Sequence, residues 1–397
     1  MNNIAVFTIA SRNYFALAKT FLESVKKAHP EGVRLYLFLA DEGGDMLANE
    51  KVPFQVVEGK DLAIPNYKQM AFQYDIMEFN TAIKPFCFNY LFSKGHTKAL
   101  YFDPDIMVFR PLDQILTQLD TSAVVVTPHL TEPLPAGDQS YPSEQVYLRV
   151  GTYNLGFIAV SAKEEGKRFV AWWGRKCAED CFKEMETGLF VDQKWVNLVP
   201  GLFTDVNICR NKGLNMAYWN LHERTLGSNL MVNGEVPLVF YHFSGINIAD
   251  PGDISSHQDR FSLSTRPDLS ELFRSYCAAV IKNGHEKFRN IPYAYASYQD
   301  GKKVGDFARR HYSLVAKRFS DPFAVGPGTY QEYLKANKLL ENPPAVKPTV
   351  AGFSGQIKKA NYVLKVMCRL LGVDRYNNLM LYLRNMAVIR KQDFWPI

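Results

Sequence analysis

In the first hundred residues, unbroken apolar runs alternate with stretches of helical periodicity, and that alternation leaves few folds open. "IAVFTIA" (4–10) has no polar face, as expected of a parallel strand covered on both sides. Behind it Phe15, Ala18, Phe21, Leu22 and Val25 recur at three- and four-residue spacing, which predicts a helix. "VRLYLFLAD" (33–41) and "PFQVVEG" (53–59) read as the next two strands, and a helix through "TAIKPFCFNYLFSKG" leads into "KALYFDPDIMVF". This order predicts an α/β fold, a Rossmann-like and mostly parallel sheet flanked by helices. Ligands of such sheets sit beyond the carboxyl ends of the strands.

The pattern continues through strands at "SAVVVTPH" (122–129), "YNLGFIAVS" (153–161) and "VPLVFYHFSG" (236–245). A long helix is expected in "EEGKRFVAWWGRKCAEDCF", and another begins at "DQKWVNLVPGLF" (192–203). From about Leu269 the chain turns helical and aromatic. The expected organisation is an α/β domain over 1–265, a helical extension over 266–340, a proline-rich linker over 341–352 and a basic amphipathic helical tail over 353–397. No run approaches the roughly 20 apolar residues of a membrane span, and the start lacks the pattern of a signal peptide. A cytoplasmic location is therefore expected. Six scattered cysteines agree with that compartment, and only Cys177 and Cys181 are close enough to share a helix face. From Ile357 to Ile397 eight Lys or Arg face two Asp and no Glu, a bias that attracts anionic surfaces. A peripheral membrane contact on the inner face is one reading of this tail; a small packed helical domain or an oligomer contact is the other. No nucleic-acid-binding pattern accompanies the charge.

"LYFDPDIMVF" (100–109) sets two carboxylates one residue apart inside an apolar run. Burying Asp103 and Asp105 there costs several kcal/mol each unless something offsets the charge. In extended backbone, residues i and i+2 point the same way, so the pair converges on one point. Converging carboxylates with no basic neighbour in sequence suit a hard dication; a strand-end turn capped by aspartates is the plainer alternative.

Four segments in this order resemble the GT-A-fold glycosyltransferases, in particular the retaining family 8 enzymes and their divergent bacterial relatives. "LYFDPDIMVF" resembles the family's D-x-D strand. "YNLGFIAVS" resembles its Phe-Asn-x-Gly strand through Tyr153, Asn154 and Gly156, "VDQKWVN" its Asp-Gln motif, and "YHFSG" its late histidine motif. The likeness covers about residues 1–250 and departs after Gly245. The family's following Lys-Pro-Trp is absent, leaving His257, Gln258 or Arg260 to replace its lysine.

The resemblance implies transfer of a sugar from a nucleotide-diphosphate sugar, with UDP as the expected nucleotide, to a glycan or lipid-linked acceptor in surface polysaccharide synthesis. Asp103, Asp105 and His242 are the expected ligands of Mn²⁺ or Mg²⁺, an ion that offsets charge on the departing phosphate. An imidazole among oxygen ligands leans toward Mn²⁺. Ala10, Ser11, Arg12, Tyr14 and Asp41, at the ends of the first two strands, are expected around the nucleotide, joined by Lys84, Asp103, Gly245 and His257. Tyr14 either stacks on a base or packs on the first helix, and Lys84 either reaches the donor or is solvated. Asn154, Asp192 and Gln193 are the candidate catalytic residues on the acceptor side, and Trp219 is the first choice of sugar platform. Asp192 also reads as a helix N-cap. Retention leaves two routes open, a double displacement through a carboxylate or a front-side attack. A sugar nucleotidyltransferase of the same fold and a non-catalytic nucleotide-sugar-binding protein are the competing readings. The first is disfavoured because "SRNYFALAKTF", after the first strand, has no glycine.

Overall fold

The computed structural model describes residues 3–47, 50–341 and 354–392, so most of the expected proline-rich linker lies outside the described residues. Two compact units make up the chain. One comprises Met1–Tyr67 and Ile76–Ala294, the other Lys68–Asp75 and Tyr295–Ile397. The α/β unit thus runs to Ala294 and includes the helix Ser270–Lys282.

The first unit is built on strands β1 (Ile4–Ala10), β2 (Arg34–Leu39), β3 (Gln55–Glu58), β4 (Lys98–Phe102), β5 (Ile106–Val108), β6 (Val124–Pro128), β7 (Tyr153–Ser161) and β8 (Val206–Ile208), followed by the short β9 (Met231–Val232), β10 (Val236–Pro237) and β11 (Phe240–His242). Seven of them form one sheet in the order β3-β2-β1-β4-β7-β6-β8. Pairing is parallel from β3 through β4, and again between β6 and β8; β7 runs antiparallel to both its neighbours. This is the mostly parallel α/β sheet expected from the strand–helix alternation. All nine residues of β7 are buried, so the antiparallel strand cannot be told from its neighbours by an exposed polar face.

Phe15, Ala18, Phe21, Leu22 and Val25 are buried on one stripe of the helix Phe15–Ala28, as their spacing predicts. Phe21, Phe102, Phe157 and Phe240 meet at ring-centroid distances of 5.1 to 5.3 Å and join that helix to the centre of the sheet. Aromatic contacts in this range add to the burial of the rings themselves.

Three local expectations change. "VPLVFYHFSG" contains two separate strands, β10 and β11, and β11 leaves the main sheet to pair with β5. "DQKWVNLVPGLF" divides into the helices Val191–Val196 and Val199–Leu202, with Pro200 in the second. Asp192 is not an N-cap: it lies inside the first of these helices, whose cap position is Phe190.

The second unit has an aromatic core in which Phe72 meets Tyr298, Tyr312, Phe323 and Tyr330. Buried Arg309 donates to the carbonyls of Phe72, Tyr74 and Tyr295 at 2.7 to 2.8 Å. The tail forms two helices, Ser354–Leu371 and Val373–Met386, whose Tyr362, Val363, Leu370, Val373 and Tyr382 are exposed, Leu370 by 80%. No helix among the described residues is long and apolar enough to cross a membrane.

Candidate metal centre

Strand β4 ends at Phe102, the chain turns through Asp103-Pro104-Asp105, and β5 sets off in a new sheet. The turn is pinned from two sides. Asp103 N donates to Gly156 O of β7 at 2.7 Å, and Phe243 N donates to Asp105 O at 2.8 Å. Register between β5 and β11 places His242 opposite Ile106, and so over the two aspartates. His242 Nε2 lies 3.0 Å from Asp105 Oδ1 and 3.8 Å from Asp103 Oδ2. Ligand atoms of Asp103, Asp105 and His242 all fall within 4.8 Å of one another, and among the described residues they form the one such group found. Two carboxylates and an imidazole meeting from separate segments fit a dication that keeps open positions for a substrate.

The imidazole is held by a relay of neutral polar groups. Buried His129 directs Nδ1 at Thr152 O (3.2 Å), and its Nε2 lies 3.3 Å from Asn154 Nδ2. Asn154 Oδ1 lies 3.3 Å from His242 Nδ1 and also accepts from Gly156 N and Asn215 Nδ2 at 3.1 and 3.0 Å. An amide oxygen only accepts, so Nδ1 of His242 carries a proton, and Nε2, which faces the aspartates, is the nitrogen that would meet a dication once its own proton leaves. Burial pulls His129 down to about 4, keeping it neutral as the relay requires. Burial also pulls on His242, but the carboxylates of Asp105 and Asp103 outweigh it and leave that imidazole above its ordinary value.

Lys84 is the basic partner that the sequence around the aspartates lacks. It is neither solvated nor free to move: its side chain is 2% exposed and donates to Leu155 O at 2.9 Å. Its Nζ lies 3.0 Å from Asp192 Oδ2, 3.8 Å from Asp103 Oδ1 and 4.4 Å from the centre of the Tyr101 ring. Tyr101 in turn donates its hydroxyl to Asp103 Oδ1. Burial raises Asp192 to about 6 even with the ammonium beside it. Lys84, lowered by burial, is raised still more by Asp192 and Asp103.

Gln193 spends its amide on backbone, accepting from Leu155 N at 2.9 Å and donating to Val150 O at 3.0 Å. With Asn154 and Asp192 it lines a cavity of about 610 Å³ that extends outward from the aspartates past His129, Tyr147, Trp219 and His257. Trp219 is buried edge-on against His242 and His129, with centroids 5.1 and 5.3 Å apart.

On the other side of the aspartates a second cavity, of about 270 Å³, is lined by Ala10, Ser11, Tyr14, Ile76, Met77, Asn80, Asp103 and Asp105. Tyr14 is 47% exposed and does not pack as a core residue. Ser11 accepts from Asn80 Nδ2 at 2.8 Å. Arg12 and Asp41 instead bind each other. Asp41 Oδ1 accepts from Arg12 N at 3.1 Å, and the guanidinium donates to Asp41 Oδ2 and Pro292 O.

Of the three proposed replacements for the family's lysine, two are structurally committed. Arg260 is bound to Asp138, Ser140 O and Pro142 O, and Gln258 to both backbone groups of Phe261. His257 does line the site, beside Gly245, whose φ of +75° suits glycine and where a Cβ would stand 2.7 Å from the imidazole. His285 and Arg289 line a further cavity of about 230 Å³ with Tyr14, Asp105 and Gly245. No motif pointed to these two, because they follow the long helix Ser270–Lys282 and carry no local pattern of their own.

No protein-family model matches the chain. It is 27% identical over 258 residues to the uncharacterized protein YfnD of Bacillus subtilis, covering 62% of this chain and 79% of YfnD. It is also 27% identical over 196 residues to YfnF of the same organism, covering 47% of this chain and 61% of YfnF. Among solved structures, the galactosyltransferase LgtC in complex with donor and acceptor sugar analogs aligns over 72% of this chain and 97% of its own, at 16% identity and a TM-score of 0.44. The glycosyltransferase GlyE of Streptococcus pneumoniae aligns over 74% of this chain and 66% of its own, at 14% identity and a TM-score of 0.41.

Proposed function

We propose that the chain is a metal-dependent glycosyltransferase of the GT-A type that moves a sugar, with retention, from a UDP-sugar to a glycan or lipid-linked acceptor. One observation carries this reading: Asp103, Asp105 and His242 meet at the carboxyl end of the central strand, between two cavities. Mn²⁺ is the expected ion, since an imidazole shares the site with two carboxylates. When bound, a dication there offsets the negative charge that grows on the departing phosphate.

The remaining work falls to the chain's own groups. Tyr14, Ser11 and Ala10 line the cavity of about 270 Å³, which would take the nucleotide base and ribose. His257, His285 and Arg289, around Asp105, supply donors for phosphate oxygens. Asn154 positions His242, and Lys84 restrains both Asp103 and Asp192. Asp192, charged or protonated near neutral pH, faces the outer cavity, where it holds sugar hydroxyls. Gln193 braces the wall beside it. The exposed apolar residues and excess cations of the tail helices support contact with an anionic membrane, where a lipid-linked acceptor resides.

Release of sugar and UDP from a panel of UDP-sugars, measured with Mn²⁺ and with a chelator, tests the reading. Metal-dependent turnover with at least one donor is expected. Metal-dependent UDP-sugar binding without turnover favours a non-catalytic binding protein. Formation of a nucleotide-sugar from a sugar phosphate and UTP favours a nucleotidyltransferase.

A further inference from the structure

The cavity of about 610 Å³ is lined by groups of both charges. Its Asp103, Asp105 and Asp192 are engaged by His242 and Lys84. The same cavity is also lined by Arg149, at the end of the helix Glu144–Val150, and Lys183, just beyond the helix Glu164–Asp180. Both are exposed, and among the described residues neither has a carboxylate at ion-pair distance. Tyr147 and Trp219 line the same cavity, and their Oη and Nε1 are buried without a hydrogen-bond partner among the described residues. Unpartnered buried donors are costly, and here two of them line one cavity.

These uncommitted groups share a chemistry. Guanidinium, ammonium and indole N–H only donate, and a phenol donates readily. A neutral sugar hydroxyl brings a donor of its own to each contact. A carboxylate or phosphate accepts several hydrogen bonds at once and brings the opposite charge, and such charge-assisted bonds are the stronger ones. We infer that the acceptor is anionic, presenting a carboxylate or a phosphate to Arg149 and Lys183 while its reacting hydroxyl points toward the aspartates. The inference rests on the glycosyltransferase reading and adds the class of its second substrate.

The test uses the full chain with Mn²⁺ and UDP present. Calorimetric titrations compare methyl glucuronoside with methyl glucoside, and glycerol 3-phosphate with glycerol. At least one anion is expected to bind on the order of tenfold more tightly than its neutral counterpart at about 50 mM salt, with the advantage shrinking at about 500 mM. Preference for the glucuronoside identifies a carboxylate acceptor, and preference for the glycerol phosphate identifies a phosphate. In the double variant Arg149→Gln, Lys183→Gln the ratio of charged to neutral affinity is expected to fall toward one. Absence of any anion preference, or its persistence in the double variant, overturns the inference. UDP affinity is read in the same samples. Loss of metal-dependent UDP binding counts against the transferase reading itself, while the anion ratio, measured again without UDP, still reports on this cavity.

Discussion

A methyl group on Gly156 would stand 2.3 Å from Cε1 of His242 and 2.6 Å from its Nδ1. The glycine of "YNLGF" is therefore the vacancy into which the imidazole fits, and the asparagine two residues before it accepts the ring proton. Substituting Gly156→Ala displaces the ring from the aspartates. Mn²⁺ affinity is expected to fall about ten- to a hundredfold, the range seen when the support of a metal ligand is lost. Electron paramagnetic titration of free Mn²⁺ reads this directly, with thermal unfolding as the control for fold. Wild-type affinity in a folded Gly156→Ala protein would show that the ring relocates without consequence.

Metal binding should also depend on pH, with a definite sign. Burial lowers His242, but Asp105 and Asp103 outweigh it, so the free protein holds a proton on this imidazole to above the usual histidine value. That proton occupies the lone pair a dication needs. Mn²⁺ affinity is therefore expected to rise between about pH 6 and about pH 8 and then level off. Calorimetry in buffers of different ionisation enthalpy should record proton release at the lower end. A dissociation constant that does not change across this range contradicts the assignment of His242 as a ligand.

Lys84 and Asp192 form an ion pair in which the side chains are 2% and 1% exposed. Replacing Lys84→Met leaves Asp192, almost wholly buried at the wall of the cavity, without its counter-charge. A loss of about 3–5 kcal/mol in urea unfolding is expected, and the double variant Lys84→Met, Asp192→Leu should recover most of it. Equal losses in the single and double variants would place the cost in packing instead of charge.

The tail offers a surface test. Lys359, Lys365, Arg369, Arg375 and Arg384 lie on helices whose apolar residues are exposed. Changing these five to Gln in the full chain is expected to abolish co-sedimentation with vesicles rich in phosphatidylglycerol, each cation near such a surface contributing about 1 kcal/mol. The unaltered chain should bind them and ignore neutral phosphatidylcholine vesicles. Equal binding of both proteins removes the membrane contact.

How far the site could be read from the chain depended on the range of the interaction. Strand periodicity places Asp103 and Asp105 at the end of a parallel strand, but they converge through the turn between β4 and β5 and not through extended backbone. His242 was found through motif resemblance, since nothing local in "YHFSG" says that β11 pairs with β5. Lys84 is not the solvated lysine that its helix alone allows, because its partners arrive from β7 and from the helix Val191–Val196. Asn154, an acceptor-side candidate, lines the cavity of about 610 Å³ and also supports the imidazole of His242. Arg149, Lys183, His285 and Arg289 went unnoticed. Polar residues at or near helix ends look alike in sequence, and only the fold tells which of them border a cavity.

The short ribbon of β5 and β11 has a consequence for the life of the chain before it is finished. Two of the three ligands are made early and the third only after most of the first unit has been synthesised. A nascent or partly unravelled polypeptide therefore offers just a pair of adjacent carboxylates, a weak trap for any cation. Tight capture of a dication at this group would thus report that the last strand has docked.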